Sequence, residues 1–410
     1  MPEMQEAVVV ATARSPIGRA NKGSLVDVRA DYLMADIIKA VLAKAPGLDP
    51  NDIVDVICGN VAQSGETGFN IARTAGILAR LPLSVPGQTV QRFCSSSLLA
   101  ISAAANSIKV GEGEVYVACG VEKTSRPPAP EGAEGGGGGG RQRPAFGGPD
   151  NPKNLGGINL ELLGRTPGLP NVYIPMGMTA ENVVDKFGVK REDMDRFAKL
   201  SQDRAVAAQN NGVFDREIIP VTKDDGTVVS KDDGPRADTT LEKLASLQPS
   251  FKPDGSVTAG NACPLNDGAA AVLLMSRRKA DELGLKPLAR IIATAVSGNE
   301  PEIMGVAPID AIPKALKLAG LKIGDVDVVE LNEAFAAQVL PVCEETGIDI
   351  ERQLNPHGGA IALGHPFGMT GARIMTTLIN DLQTLDKTIG LETMCAAGGM
   401  AMATVIERLN

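Results

Sequence analysis

The only two histidines of the chain, His357 and His365, lie in one glycine-rich segment, residues 355–371. An imidazole titrates near neutral pH, so histidine is the side chain most often used for proton transfer. His365 stands before a helix predicted over 370–379, where a fixed turn would present an exposed ring. A turn histidine with no chemical role fits the same pattern, so partners elsewhere in the chain must decide.

Two cysteines, Cys94 and Cys395, stand at the predicted ends of secondary-structure elements. Cys94 lies where an extended segment meets a helix that begins at or just after it. A helix N-terminus lowers the pKa of a thiol, and its free N–H groups can hold an oxyanion. Cys395 follows a strand predicted over 390–394 and precedes flexible backbone. The alternative for each cysteine, taken alone, is a small buried core residue.

The elements that must position these side chains alternate between strand and helix. Helical patterns occur at 30–44, 67–80, 178–187, 191–210 and 310–319. Apolar runs predict strands over 5–13, 53–57, 115–119, 269–275, 289–296 and 326–331. This alternation predicts an α/β fold with a mainly parallel sheet and helices on both faces.

The α/β pattern contains an internal repeat. Residues 48–57 resemble residues 321–330, with Asp55 aligned to Asp327. The same offset, within a few residues, brings Cys94 beside His365 and the region of Cys119 close to Cys395. We therefore predict a duplicated βαβ half, with the two halves packed around a shared site at the carboxyl ends of strands.

The duplication would gather Cys94, His365 and Cys395 at the same end of the sheet. Asn332, at the end of another predicted strand, adds a polar amide to the same neighbourhood. A nucleophilic thiol, an imidazole, a second thiol and an amide together indicate acyl transfer through a thioester.

Length and composition limit the other classes of function. With 410 residues, 43% of them hydrophobic, the chain is long enough for two or more domains or repeated halves. Its net charge of −9 argues against nucleic-acid binding, and no apolar run predicts a membrane span. The acidic N-terminus is typical of neither a signal nor a transit peptide. Six scattered cysteines without CxxC spacing favour free thiols in a reducing cytoplasm over disulfides or a zinc site.

The predicted halves are interrupted by an insertion. We place the first half at 1–125 and 259–285, the insertion at 126–258 and the second half at 286–410. Residues 126–170, with six consecutive glycines at 135–140, are expected to form a mobile loop. The glycine run lacks the Lys-Ser/Thr ending of a phosphate-binding loop.

Six motifs occur in order along the chain and together resemble the thiolase family over nearly its whole length. They are Gln91-Arg92-Phe93-Cys94-Ser95-Ser96, Met176-Gly177-Met178-Thr179-Ala180-Glu181-Asn182, Thr258-Ala259-Gly260-Asn261-Ala262, Asn332-Glu333-Ala334-Phe335-Ala336, residues 358–366 and the segment of Cys395 with its following glycines. The resemblance implies a thiolase-like fold, in which duplicated βαβαβ halves form a layered α/β/α/β/α core with an inserted loop domain.

The resemblance also implies the chemical roles. His365 would take the proton of Cys94, whose thiolate attacks the 3-keto carbon of a 3-ketoacyl-CoA, and Cys395 would protonate the departing acetyl-CoA enolate. Free CoA, deprotonated by Cys395, would then release the shortened acyl-CoA. One oxyanion site would use His365 with a water held by Asn332. The other would use the backbone N–H groups of Cys94 and Ala397.

For binding, the resemblance implies that the insertion holds CoA as a substrate, with no metal and no permanently bound cofactor. The implied contacts come from Met176, Arg236, Ala262, Cys263 and Phe335. Thiolases are dimers or tetramers, so a homodimer or homotetramer is expected. The family varies at position 357, so His357 is interpreted as structural.

Four positions depart from the family pattern. Ser97 and Ala397 stand where the family usually has glycine, and Cys263 stands where many members have serine. Pro175 replaces a histidine of short-chain biosynthetic members, and Ile174-Pro175-Met176-Gly177 is closer to degradative 3-ketoacyl-CoA thiolases.

We therefore expect thiolysis of 3-ketoacyl-CoA to acetyl-CoA and a shortened acyl-CoA by a cytoplasmic acyltransferase of fatty acid β-oxidation. The first alternative is an acetoacetyl-CoA thiolase that condenses two acetyl-CoA. The second is a catalytically weak acyl-CoA-binding protein, supported by Ser97 and Ala397. A decarboxylating ketoacyl synthase is disfavoured, because Cys395 occupies the place of its second catalytic group.

Overall fold

A computed structural model describes residues 4–125, 154–155, 158–164 and 166–410. Most of the loop expected to be mobile, including the glycine run at 135–140, lies outside these residues. The strands are β1 Ala7–Arg14, β2 Gly18–Arg19, β3 Ile53–Gly59, β4 Gly87–Val90, β5 Val115–Lys123, β6 Asn154–Leu155, β7 Ile158–Asn159, β8 Val221–Thr222, β9 Val228–Val229, β10 Asn266–Ser276, β11 Ala289–Gly298, β12 Val328–Leu331, β13 Ile389–Ala396 and β14 Met400–Arg408.

The helices are α1 Ala30–Ala43, α2 Ile71–Leu78, α3 Ser96–Val110, α4 Met176–Phe187, α5 Arg191–Asn210, α6 Leu241–Ala245, α7 Arg277–Glu282, α8 Pro308–Ala319, α9 Ala336–Thr346, α10 Ala360–Leu363 and α11 Thr370–Thr384. The helix predicted over 67–80 is shorter than expected. Asn70 takes a left-handed φ of 62°, and its side chain accepts from the N–H of Arg73, so the helix begins only after Asn70.

The predicted duplication is visible in the strand order. The first half runs β4-β3-β5-β10-β1, and the second runs β12-β13-β14-β11. Leu354 makes a parallel bridge to Val329 of β12, at the position that β4 occupies beside β3. In the first half β10 lies between β5 and β1 and is antiparallel to both. In the second half β14 lies between β13 and β11 and is also antiparallel to both. The sheet is therefore mixed, and the antiparallel strands are a feature that the predicted βαβ pattern missed.

The two halves meet edge to edge in one continuous sheet. Val8 and Val9 of β1 pair with Arg290 and Ala289 of β11. Strands β1 and β10 are buried along their whole length. Burial on both faces explains why these strands are runs of alanine, valine and leucine rather than alternating polar and apolar residues.

The layers form the predicted α/β/α/β/α core, which confirms the fold class. Helices α3 and α11 contact each other and lie between the two half-sheets. Helices α1 and α2 cover the outer face of the first half, and α8 packs on the second with α9 against it. Gly371 permits the close approach in the middle layer, because a Cβ there would lie 2.3 Å from the Leu98 nitrogen. The strands of the first half-sheet fall within residues 1–125 and 259–285, and those of the second within 286–410, the ranges predicted for the two halves. The exact domain boundaries stay a prediction.

One helical stretch in the described part of the chain, Phe93–Val110, is long and apolar enough to cross a membrane. It is α3 with the residues before it, and α3 packs against β3, β5, β10 and α11. Its small apolar residues are therefore explained by its place in the middle layer of the core.

The insertion is fastened to the first half by buried ion pairs. Arg14, at the end of β1, donates from Nη1 to Asp232 Oδ1 at 2.8 Å and from Nη2 to Glu217 Oε1 at 3.0 Å. Asp233, which follows Asp232 in the chain, accepts from the backbone N–H groups of Arg19 and Ser24. These contacts hold the segment that leads to Arg236 against the loop after β1.

Candidate active site

Cys94 occupies a tight turn immediately before α3. Phe93 takes a φ of 45°, which is uncommon for a residue with a side chain and is characteristic of functional turns. Ser96 fixes this turn, because its Oγ donates to the carbonyl of Phe93 at 2.6 Å and accepts from the N–H of Arg92 at 2.9 Å. The half-buried Cys94 is therefore presented by a constrained backbone.

The expectation of a lowered thiol pKa at Cys94 is wrong. Burial raises the pKa of Cys94 well above its usual value, and the neighbouring thiols of Cys395 and Cys263 add to the rise. The backbone N–H groups of Cys94 and Ala397 act in the opposite direction. Desolvation thus outweighs the helix terminus, and the thiol needs a base before it can attack. The two opposing N–H groups are the pair that the resemblance assigns to an oxyanion site.

His365 is 1% exposed, so the expectation of an exposed ring is also wrong. Its Nδ1 lies 2.6 Å from the hydroxyl oxygen of Thr370, and that hydroxyl donates its single proton to the carbonyl of Pro366. The hydroxyl must therefore accept from Nδ1–H, which leaves Nε2 without a proton. Its Nε2 lies 3.3 Å from Nδ2 of Asn332, which can donate to it.

The environment of His365 suits a base. Burial, reinforced by the positive charge of Arg373, lowers the pKa of His365 to about 3. The ring is consequently neutral at physiological pH, with its unprotonated Nε2 directed towards Asn332. A neutral imidazole can accept the proton of Cys94, which a permanently charged one could not do.

Asn332 follows β12 and is fully buried. Its backbone N–H donates to the carbonyl of Thr393, while its side-chain Oδ1 has no hydrogen-bond partner among the described residues. A buried amide oxygen without a partner is costly unless a water or a ligand completes it. The Asn332–His365 pair therefore indicates a binding position for a water or for a polar atom of a ligand.

Cys395 lies inside β13, opposite Ala401, rather than after the strand as expected. It is fully buried, and burial raises the pKa of its thiol to about 11. The thiol donates to Oε1 of Gln338 at 3.3 Å. Gln338 could not be predicted from the sequence, because a glutamine inside a helix carries no signal of its own.

Glu333 is a second residue that sequence analysis did not single out, although it belongs to a quoted motif. Its carboxylate accepts from the hydroxyl of Ser201, the amide of Asn355 and the backbone N–H of Ile361. A Cβ at Gly359 would lie 2.3 Å from its carboxyl carbon. Glu333 thus anchors the glycine turn that leads to His365. His357, by contrast, pairs through Nδ1 with Asp381 Oδ1 at 2.5 Å.

A cavity of about 780 Å³ opens beside the insertion. Its cationic lining consists of Arg19, Lys22, Arg236 and Lys243. Burial and the charge of Arg236 lower the pKa of Arg19, as expected for two guanidinium groups held close together. Neighbouring cations without an equal number of carboxylates form a site for an anionic ligand such as a phosphate.

Four of the five sequence-predicted binding residues fall at this cavity or next to it, and Met176 does not. Arg236, Ala262 and Cys263 line its wall. Phe335 packs edge to face on Phe251, another wall residue, with ring centroids 6.2 Å apart. Met176 does not line the cavity. It begins α4 and packs against the hydrophobic core that includes Cys395.

Ser97 proves to face the core. Its Oγ accepts from the N–H of Ala372 at 2.8 Å and so caps the first turn of α11. The residue is fully buried; Gly120 leaves room for its Cβ, and Gly59 for its backbone. The departure from glycine at this position is therefore explained by helix capping, and it gives no support to a reshaped substrate pocket.

We expect Ser97→Ala to lower the free energy of unfolding by about 1–3 kcal/mol, because the Ala372 N–H would stay buried without an acceptor. Chemical denaturation measures this change. The matched control is Ser102→Ala in the same helix, where a change near zero is expected. A Ser97→Ala protein as stable as the parent would contradict the capping role.

Fold and site together define a cysteine-dependent acyltransferase. The site holds the neighbouring thiols of Cys94, Cys395 and Cys263, and a neutral buried imidazole beside an amide whose oxygen has no partner in the described part of the chain. The chain belongs to the thiolase family. The family model "Thiolase, N-terminal domain" matches residues 7–278, and "Thiolase, C-terminal domain" matches residues 285–408.

Relatives and solved structures match along the whole chain. The 3-ketoacyl-CoA thiolase of Bacillus subtilis is 44% identical, with 98% of this chain and 100% of the relative covered. The acetyl-CoA acetyltransferase structure of Bacillus anthracis has a TM-score of 0.87 at 40% identity, with both chains fully covered. The dimeric peroxisomal thiolase structure of Saccharomyces cerevisiae has a TM-score of 0.87 at 39% identity, with 98% of both chains covered.

Proposed function

We propose that this thiolase-family enzyme cleaves 3-ketoacyl-CoA with CoA, giving acetyl-CoA and an acyl-CoA shortened by two carbons. The observation that carries the proposal is the neighbourhood of Cys94 and Cys395, whose thiols are close enough to raise the pKa of Cys94. Carbon–carbon cleavage needs one group that takes the acyl chain and another that protonates the enolate. Two thiols beside one base meet that need.

The first half-reaction begins with proton transfer from Cys94 to Nε2 of His365. The thiolate attacks the 3-keto carbon, and the backbone N–H groups of Cys94 and Ala397 stabilise the oxyanion that develops there. His365 and a water bound to Asn332 Oδ1 stabilise the enolate oxygen of the departing acetyl-CoA. The bond between Cα and the former keto carbon then breaks, and Cys395 gives its proton to the acetyl-CoA enolate. The products are acetyl-CoA and acyl-Cys94.

The second half-reaction transfers the acyl group to CoA. Cys395, now a thiolate, takes the proton of the CoA thiol, and the CoA sulfur attacks the Cys94 thioester. The backbone N–H groups of Cys94 and Ala397 would stabilise this second oxyanion, consistent with their effect on the Cys94 thiol. The shortened acyl-CoA leaves, and the proton on His365 returns to Cys94.

CoA is held, in this proposal, at the cationic cavity by Arg19 and Arg236. We expect Arg236→Ala to raise the KM for CoA about fivefold with little change in kcat, since an exposed charge contact contributes about 1 kcal/mol. Thiolysis rates over a range of CoA concentrations measure this change. The increase should shrink at high salt, where exposed charges are screened.

Arg352→Ala provides the control for Arg236→Ala, because Arg352 is an exposed cation paired with Asp349 and does not line the cavity. Its KM for CoA should equal that of the parent. An unchanged KM in Arg236→Ala would contradict the proposed phosphate contact.

The degradative reaction is tested by following loss of the 3-ketoacyl-CoA enolate absorbance at pH 8. Acetoacetyl-CoA and longer 3-ketoacyl-CoA substrates are compared, with Cys94→Ala as the control. Faster turnover of the longer chains supports the proposal, while turnover of acetoacetyl-CoA alone supports the acetyltransferase alternative. Acyl-CoA binding without turnover would favour the weakly active binding protein.

We further propose a cytoplasmic homodimer that acts in fatty acid β-oxidation. Strand β4 is the outer strand of the first half-sheet, and exposed apolar residues lie near it. Leu83, four residues before β4, is 77% exposed, and Phe69 is 99% exposed next to Asn70, whose amide donates to the carbonyl of Gly87 in β4. Such residues beside a sheet edge are expected where a second subunit covers them. Sedimentation of the purified protein tests this assembly, and a monomer at micromolar concentration would contradict it.

A further inference from the structure

Gln338 lies between two residues of the site, Cys395 and Asn332, and is not itself one of the groups assigned to the chemistry. It belongs to the first turn of α9, and its backbone N–H donates to the carbonyl of Phe335 at 3.1 Å. Its side chain is fully buried. Its amide oxygen meets the Cys395 thiol at 3.3 Å, and its amide nitrogen lies 3.4 Å from the backbone carbonyl of Asn332.

These two contacts decide which way the amide points. The backbone carbonyl of Asn332 is only an acceptor, so the NH₂ group of Gln338 must face it. The reverse orientation would place two carbonyl oxygens against each other in a buried site. The amide oxygen therefore faces Cys395 and accepts the proton of its thiol.

Close packing fixes Gln338 in this position. A Cβ at Gly305 would lie 2.8 Å from the Cβ of Gln338 and 3.4 Å from its Oε1. The backbone around Gly305 therefore presses along the glutamine side chain and restricts its rotamers. A buried amide with both ends bonded and its flank packed is a rigid support rather than a mobile contact.

We propose that Gln338 is the positioning residue of Cys395: its Oε1 holds the thiol proton and thereby orients the sulfur for proton exchange with the α-carbon of the substrate. The inference rests on the proposed acid–base role of Cys395. Without this acceptor the Cys395 side chain could turn between several rotamers, and only some of them place the sulfur facing the α-carbon. Removing the acceptor slows the proton transfer and leaves Cys94 unaffected.

The step that depends on Gln338 is written with acetyl-CoA in D₂O. The Cys395 thiolate takes a proton from the methyl carbon, leaving an enolate, and the thiol exchanges its proton with solvent. Returning a deuteron to the enolate carbon gives deuterated acetyl-CoA and restores the thiolate. Mass spectrometry of acetyl-CoA measures this exchange, and mass spectrometry of the protein measures acetylation of Cys94.

Gln338→Met keeps the length of the side chain and removes both hydrogen bonds. We expect α-proton exchange per acetylated enzyme to fall about tenfold to a hundredfold, as for a misplaced catalytic group. The rate at which iodoacetamide alkylates Cys94 should stay within about twofold of the parent rate, because Gln338 does not position that thiol. The matched control is Gln353→Met, which loses buried bonds to the carbonyls of Ile323 and Val326 elsewhere in the same half.

Gln338→Glu separates positioning from mere packing. A protonated carboxyl group reproduces both contacts, since its O–H donates to the Asn332 carbonyl and its carbonyl oxygen accepts from Cys395. An ionised carboxylate cannot donate to Asn332. Exchange by this variant should therefore approach the parent rate at low pH and fall as pH rises, a dependence that Gln338→Met does not show.

The outcomes are distinguishable. If the wild type exchanges α-protons and Gln338→Met exchanges them at the same rate, the inference about Gln338 is wrong, while the proposed role of Cys395 is unaffected. An equal loss in Gln338→Met and Gln353→Met, or no pH-dependent recovery in a folded Gln338→Glu protein, would also overturn it. If the wild type acetylates Cys94 but exchanges no protons, the proposed role of Cys395 fails and the inference fails with it.

Discussion

Cys94→Ala should lower the rate of thiolysis by about 10⁴-fold or more, because Cys94 carries the acyl chain between the two half-reactions. The acyl-enzyme should also disappear. Incubation with a 3-ketoacyl-CoA substrate, without added CoA, should leave an acyl adduct on the parent protein and none on the variant. Protein mass spectrometry and the enolate absorbance assay measure these two effects.

The control for Cys94→Ala is Cys58→Ala, which removes a fully buried thiol from β3. Cys58 has no part in the proposed chemistry, so its loss should affect stability more than turnover. Residual thiolysis by Cys94→Ala within tenfold of the parent would rule out Cys94 as the nucleophile.

Cys395→Ala should lower carbon–carbon cleavage by about 10²–10⁴-fold, the usual contribution of a positioned general acid or base. The two half-reactions should respond differently to pH. A free thiol such as that of CoA ionises with a pKa of about 8.5, so rising pH supplies the CoA thiolate without help from Cys395. The methyl protons of acetyl-CoA are far too weakly acidic for such rescue.

Two measurements separate these effects of Cys395→Ala. Release of acyl groups from pre-acylated Cys94 by CoA should recover towards the parent rate between pH 7 and pH 9. α-Proton exchange of acetyl-CoA should stay low throughout that range. The control is Cys343→Ala, a buried cysteine of α9 whose thiol has no proposed role. Equal recovery of both reactions would contradict the assignment of Cys395 as the base at carbon.

The side chains of Cys94, Cys395 and His365 are all uncharged in the folded protein near neutral pH. Burial raises the pKa of both the Cys94 and Cys395 thiols and lowers that of His365. The pKa of His365 is about 3 in the folded protein and near 6.5 in the unfolded chain. Between these two pH values the unfolded chain binds more protons, so His365 favours unfolding as pH falls through that range. Desolvation thus keeps charge out of the site until substrate arrives.

The amino-acid sequence alone determined the class of the fold and the chemical types at the site. Buried strands such as β1 need continuous apolar runs, and a repeated βαβ pattern leaves a repeated sequence signal. Cys94, His365, Cys395 and Asn332 could be named because strand ends and glycine-rich turns have local signatures. The antiparallel strands β10 and β14 were missed, because direction depends on the connections between strands rather than on side-chain pattern.

Only the tertiary structure decided how the site residues behave. The tautomer of His365 depends on Thr370, and the high thiol pKa of Cys94 depends on burial that no local pattern reports. The roles of Ser97 and Gln338 could be inferred only from their hydrogen-bond partners, which lie far away in the chain. Ser97 contacts Ala372, and Gln338 contacts Cys395. Sequence patterns report which residues suit an element, whereas pKa values and hydrogen bonds arise from distances between elements. Those distances exist only when the two halves have packed.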